Sequence, residues 1–131
     1  MYLLDSDWLI DYLGGLPEAV NLLQPLAGVG LAFSVITYME AFEGILRKDD
    51  PPAAQARLRA GLSPFQVIPV SAGIAERCAV IRYHIRSGGR RIRDRAPDLM
   101  IAATALEYDL TLVTRNIEDY SDVAGLRLYS S

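Results

Sequence analysis

Four acids far apart in the chain, Asp5, Glu40, Asp98 and Asp119, carry the chemistry that this sequence can do. Asp5 follows the short apolar run Tyr2-Leu3-Leu4 and stands at the carboxyl end of a first strand. Glu40 lies on the helix after a second strand. Asp98 sits in the first turn of a helix opened by Pro97. Proline is preorganised for that turn, and the positive end of the helix dipole favours a carboxylate there. Asp119 closes the polar turn Arg115-Asn116-Ile117-Glu118-Asp119 that leaves a buried strand. Gathered in one volume, such carboxylates repel unless a cation neutralises them. Oxygen-only ligands suit a hard ion, Mg²⁺ or Mn²⁺. An ion of that kind activates water and steadies the charge that develops as a phosphodiester is cut.

The elements that must bring these acids together alternate in type. Strands are predicted over 2–4, 31–33, 65–70 and 111–114, and the stretch 126–129 can add a last edge strand. Between them fall helices over 8–13, capped by Ser6 or Asp7 and ended by Gly14-Gly15, then 17–23, 34–48, 53–62 and 71–87. The stretch from Leu99 to Leu106 is apolar on nearly every side apart from Thr104, which predicts a buried helix. Asp98 shares its face with Ile101, Ala102 and Ala105, and a carboxylate facing inward needs a partner. On the helix after the second strand, Val35, Met39, Phe42 and Leu46 mark one apolar side, widened by Ile45. Gly44 lies one turn beyond Glu40, where a glycine costs roughly 1 kcal/mol and implies a need for space. Strands alternating with helices imply a central, mostly parallel sheet covered on both faces, a three-layer α/β/α arrangement. Right-handed crossovers then place the carboxyl ends of the strands, and the four acids, on one edge.

At 131 residues the chain is expected to form a single domain, 1–131, with a proper core. Net charge is −3, which favours neither nucleic acid nor membrane, but the distribution is uneven. Seven arginines fall between Arg77 and Arg95, and twelve of the thirteen basic residues are Arg, the side chain suited to forked contacts with phosphate. They offer the complementary contacts to a nucleic-acid backbone. One cysteine, Cys78, in a helical apolar setting reads as a packed thiol. The start lacks the basic region of a signal peptide, and no apolar run approaches the ~20 residues that span a bilayer. A cytosolic chain is expected. With no Ser/His/Asp or Cys/His set, no P-loop and no GxGxxG turn, nucleophilic catalysis and nucleotide-cofactor chemistry are disfavoured.

Each acid also has a plainer use. Asp5 can cap a strand end, Asp98 can simply answer the helix dipole, and Asn116 and Asp119 are common turn formers. Glu40 can be a solvated helix residue paired with Arg47 or Lys48, and Glu43 competes with it. The arginine segment can be a solvated helix face.

Four motifs in order lift the chemical reading above these. Leu3-Leu4-Asp5, Ser34-Val35-Ile36-Thr37-Tyr38-Met39-Glu40, Asp98-Leu99-Met100-Ile101-Ala102-Ala103-Thr104-Ala105 and Thr114-Arg115-Asn116-Ile117-Glu118-Asp119-Tyr120 resemble, over essentially the full length, the PIN-domain ribonucleases of the bacterial VapC toxin type. The resemblance implies a Rossmann-like PIN fold and an endoribonuclease dependent on Mg²⁺ or Mn²⁺. It also implies homodimerisation and neutralisation by a cognate, VapB-like antitoxin. It marks Asp5, Glu40, Asp98 and Asp119 as the acidic site, with Asp5, Asp98 and Asp119 on the metal. Ser6, Thr114 and Asn116 would orient carboxylates or water. Arg82, Arg86, Arg90, Arg91, Arg93 and Arg115 would meet RNA, or the arginine segment would grip an acidic antitoxin tail. Many PIN domains carry an acid where this chain has Asn116, so a fourth ligand comes from Asp119 or is absent. Tyr38 and Phe42 would contribute to a dimer face. The other classes open to such a chain are a PIN-like module that binds RNA or protein without catalysis, and a PIN nuclease of RNA maturation.

Overall fold

Consecutive residues of a strand point to opposite faces of its sheet, and this chain uses that alternation to build two cores. The structure, a computed structural model, describes residues 1–90 and 95–130. Strands β1 (Tyr2–Leu4), β2 (Leu31–Ser34), β3 (Gln66–Ile68) and β4 (Thr111–Val113) form one parallel sheet in the order β3-β2-β1-β4. Among the described residues the helices are α1 (Ser6–Leu13), α2 (Pro17–Ala27), α3 (Val35–Ile45), α4 (Pro51–Leu62), α5 (Ala72–Ser87) and α6 (Ala96–Glu107). A 3₁₀ turn over Ile117–Tyr120 follows β4. Leu3, Ala32 and Leu112 face one side and pack with Ile74, Cys78 and Ile81 of α5 and Leu99 and Ala102 of α6. Leu4, Phe33 and Val113 face the other and pack with Leu9 of α1, Leu23 of α2 and Leu58 of α4. The result is the expected α/β/α sandwich; burial on both faces explains the apolar run of β1 and of Leu31–Phe33, while β3 exposes Gln66 and Val67.

The helix expected to be buried is buried. Leu99 and every residue from Ile101 to Ala105 are shielded, and the polar exception, Thr104, donates its hydroxyl to the Met100 carbonyl at 2.8 Å. A helical threonine can satisfy itself in this way without a tertiary partner. Ser71 caps α5, accepting from the Ile74 amide at 3.2 Å.

Elsewhere the structure departs from expectation. Helix α1 is capped by Asp5 itself, whose side chain accepts from the Ser6 amide, not by Ser6 or Asp7. Helix α2 runs past Leu23 to Ala27 and takes Pro25 inside, because Leu23 and Leu26 are both needed in the core below. Helix α3 splits its side of large apolar residues: Val35, Met39 and Leu46 are exposed, Phe42 and Ile45 pack half-buried against the core, and Thr37 and Ala41 are buried. Wedged against α1, α4 and α6, this helix presents its smaller residues to the neighbours that press closest. No atom stands within 4 Å of a Cβ built on Gly44, so the glycine answers no close approach. It borders a cleft of about 420 Å³ between α1, α3 and α4, lined by none of the four acids. The stretch 126–129 reaches β4 through one parallel bridge, Leu112 to Leu128, and forms no further strand.

Candidate functional site

The site is built from the carboxyl edge of the sheet. β1 is flanked by β2 and β4, and pairing continues one residue beyond it, where the Asp5 amide donates to the Val113 carbonyl at 3.0 Å. That register sets Asp5 beside Thr114. The Thr114 hydroxyl donates to Asp5 Oδ2 at 2.7 Å and accepts from the Asn116 amide at 3.1 Å. The Ser6 amide donates to Asp5 Oδ1 at 2.8 Å, and the Tyr120 hydroxyl stands 3.5 Å from Oδ2. Asp5 is only 5 % exposed. Burial pushes its carboxyl above the usual range, and the bonds from Thr114 and Ser6 pull it back. The strand-end cap and the site acid are thus one residue in two roles.

Glu40 and Asp98 meet Asp5 there. Glu40 projects from α3 and Asp98 from the first turn of α6, both half-buried. The Glu40 carboxyl is pushed up by burial, then by the charges of Asp5 and Asp98, with the Ser6 hydroxyl working against this. The Asp98 carboxyl is pushed up by burial, then by Asp5 and Asp119, with Arg95 opposing. Glu40 Oε1 is buried without a hydrogen-bond partner among the described residues. Burial and the charges of Asp5, Asp98 and Glu40 raise the Tyr120 phenol as well, so it remains a protonated donor at the centre of the acids.

Three of the four acids anticipated from the sequence are therefore brought together, and the fourth sits at their margin. Asp119 is exposed, and although its charge is felt at Asp98, its main fixed contact is through its backbone carbonyl, which accepts from Arg95 at 2.7 Å. Among the described residues no three Asp, Glu, His or Cys side chains stand close enough together to enclose a metal ion. The acids approach one another without closing into a cage. Glu43, the rival of Glu40, is exposed and pairs with Arg47 at 3.5 Å.

Of the residues expected to orient the site, Thr114 and Ser6 touch it directly, and Asn116 touches it through its backbone amide. The arginines divide. Arg86 is exposed, Arg82 half-buried, and Arg90 pairs with Asp122 at 3.4 Å. Arg115 is engaged within the chain: its guanidinium lies 3.9 Å from the Trp8 ring centre and pairs with Asp11. Arg91 and Arg93 lie outside the described residues. Tyr38 and Phe42, expected at a dimer face, are half-buried against their own core, where they stack on each other and Tyr38 also on Phe33. Asp7, Arg95 and Asp122 lie outside the motifs, and Tyr120 closes the fourth motif without having been assigned a role there; a buried tyrosine needs a partner for its hydroxyl.

The sequence matches the family described as PIN domain over residues 2–126. No curated protein sequence matches it. Among solved structures, FitAcB from Neisseria gonorrhoeae superposes with a TM-score of 0.86 at 26% identity, covering 99% of this chain and 97% of that one. VapBC2 from Rickettsia felis, bound to a DNA fragment from its promoter, gives 0.85 at 26% identity, covering 98% and 96%. A toxin–antitoxin complex from Klebsiella pneumoniae gives 0.75 at 31% identity, with all of both chains covered.

Proposed function

The chain belongs to the PIN-domain family, and from that premise we propose that it is the VapC-type toxin of a toxin–antitoxin pair, a single-domain endoribonuclease that depends on Mg²⁺ or Mn²⁺. The observation that carries this reading is the gathering of Asp5, Glu40 and Asp98 at the carboxyl edge of the sheet, where the charge of Asp5 is felt at both Glu40 and Asp98 and that of Asp98 at Glu40. Three partly or fully buried carboxylates gathered in one place, one of them with an unpartnered buried oxygen, fit a divalent cation in charge and in donor type. A set that does not close into a cage also fits Mg²⁺, which keeps several waters and takes only one or two carboxylates directly. Asp5 and Asp98 would hold the ion, with Glu40 orienting water or a second ion and Asp119 joining from the margin. The ion, when bound, supplies an activated water and charge stabilisation. Thr114 and Ser6 keep Asp5 aimed, and Tyr120 donates toward it. Exposed Arg86, with Arg82 and Arg90, would meet the RNA backbone.

The structural relatives include toxin–antitoxin complexes, which supports an antitoxin as partner, and we extend the proposal to a homodimer acting in the cytoplasm. Among the described residues no helix is long and apolar enough to cross a membrane. The test is cleavage of structured RNA by purified protein. Activity is expected with Mg²⁺ or Mn²⁺ and none in excess EDTA; cleavage that persists in EDTA would overturn the reading, as would the absence of Mn²⁺ binding by calorimetry.

Thr114 gives a graded check. Thr114→Val removes the donor to Asp5 Oδ2 and the acceptor for the Asn116 amide at constant shape. Cleavage is expected to fall by about 10- to 100-fold, the usual cost of losing a group that orients a ligand. Because burial then acts on Asp5 with less opposition, the acid limb of the pH–rate profile should move to higher pH. An unchanged profile would show that Thr114 does not orient Asp5.

A further inference from the structure

We infer that Arg95 and Asp122 form a clamp that positions the Asp119–Tyr120 turn against the acid cluster, so that Arg95 is a positioning residue for this site; the inference rests on the function proposed above. The Arg95 guanidinium makes a fork, NH1 to Asp122 Oδ2 at 2.7 Å and NH2 to Asp122 Oδ1 at 2.8 Å. NH2 also donates to the Asp119 carbonyl at 2.7 Å. Paired forks of this kind fix orientation as well as distance. The clamp is shielded, with the Arg95 and Asp122 side chains 22% and 11% exposed.

Its placement gives it a purpose beyond stability. Arg95 immediately precedes α6, its carbonyl accepts from the Leu99 amide, and Asp98 stands in the first turn. Asp119 and Asp122 flank Tyr120, whose ring is buried and whose hydroxyl points to Asp5. One guanidinium thus ties the start of the helix that carries Asp98 to both flanks of the residue that touches Asp5. The turn is four residues long, lacks a side-chain cap and, apart from Tyr120, which is anchored in the core, is exposed. Arg90 adds a second, more exposed contact to Asp122 at 3.4 Å. Three of the five N–H donors of the Arg95 guanidinium are engaged in this clamp.

The experiment measures Mn²⁺ affinity by calorimetry and amide exchange over residues 117–120 in Arg95→Gln, Asp122→Asn, the double variant and Arg95→Lys. Each of the first two is expected to weaken Mn²⁺ binding by about tenfold and to speed exchange in the turn. The double variant should be no worse than either single, as for two halves of one contact. Arg95→Lys, which keeps the charge and loses the fork, should fall between wild type and Arg95→Gln, and it serves if Arg95→Gln does not fold. Wild-type Mn²⁺ affinity in folded Arg95→Gln or in Arg95→Lys, or additive losses in the double variant, would overturn the clamp. Wild-type protein that binds no Mn²⁺ would instead overturn the proposed function, and the clamp's role with it.

Discussion

Asp98→Asn is expected to lower divalent-dependent RNA cleavage by about 10³-fold and, in the metal-free protein, to raise the melting temperature. The two effects have one origin. Asp98 is half-buried and lies within reach of the charges of Asp5 and Asp119. In the absence of a cation that arrangement opposes folding, since burial and like charge both disfavour the carboxylate. Asparagine keeps the shape and removes the charge, so the strain is relieved. The site then lacks one of the two carboxylates proposed to hold the ion. A loss of about 4 kcal/mol in charge stabilisation corresponds to roughly a thousandfold in rate. Gains in stability from neutralising a functional charge are a known trade against activity. Measuring cleavage rate and melting temperature on the same preparation separates this from damage to the fold, which would lower both. A variant that cuts RNA at the wild-type rate would remove Asp98 from the site.

Why the acids could be found from the sequence, and their supports could not, follows from the kind of signal each leaves. β1 is a short apolar run and α6 is apolar from Leu99 to Leu106 apart from Thr104, and burial admits few alternatives for either; Asp5 and Asp98 inherit their positions from those elements. Strand alternation in type also implied the parallel sheet and hence the shared edge. Helix α3 was harder. Its periodicity marked an apolar side, but a period does not say which side faces a neighbour, and Val35 and Met39 face out while Thr37 and Ala41 face in. Arg95 was one of seven arginines in a stretch with no local feature to separate it from the rest. Its partner Asp122 lies 27 residues away, and a contact of that span is set by how α6 and the 3₁₀ turn pack. Asp5 showed the reverse difficulty: capping and site chemistry competed as readings, while the carboxylate has an oxygen for each.

The metal-free protein should be most stable in mildly acid solution, and Mn²⁺ should move that optimum toward neutrality. Asp5, Glu40 and Asp98 all have folded-state affinities for protons above those of an unfolded chain, burial being the first cause in each. In the pH range between the ordinary carboxylate value, about 4, and their raised values, the folded state binds more protons than the unfolded one. Stability therefore falls as pH rises through that window, and it is greatest from these groups at its acid end. Asp122 behaves oppositely. The Arg95 fork holds its carboxyl below the usual range, so its contribution is present above the unfolded value and is lost as pH falls through the folded one. The two tendencies place the metal-free optimum between them. A divalent ion held as proposed would reverse the first, because Asp5 and Asp98 would bind it as carboxylates and it would compete with protons for them. At a free concentration one hundred times its dissociation constant it adds about 2.7 kcal/mol, and that gain should be largest near neutrality and shrink as the acids protonate. Denaturant unfolding across this range, with Mn²⁺ and with EDTA, reads both slopes. In Asp98→Asn the metal-free slope should flatten and the Mn²⁺ gain should largely disappear. A Mn²⁺ gain that does not change with pH, or that survives intact in Asp98→Asn, would mean that the ion binds somewhere other than among these carboxylates.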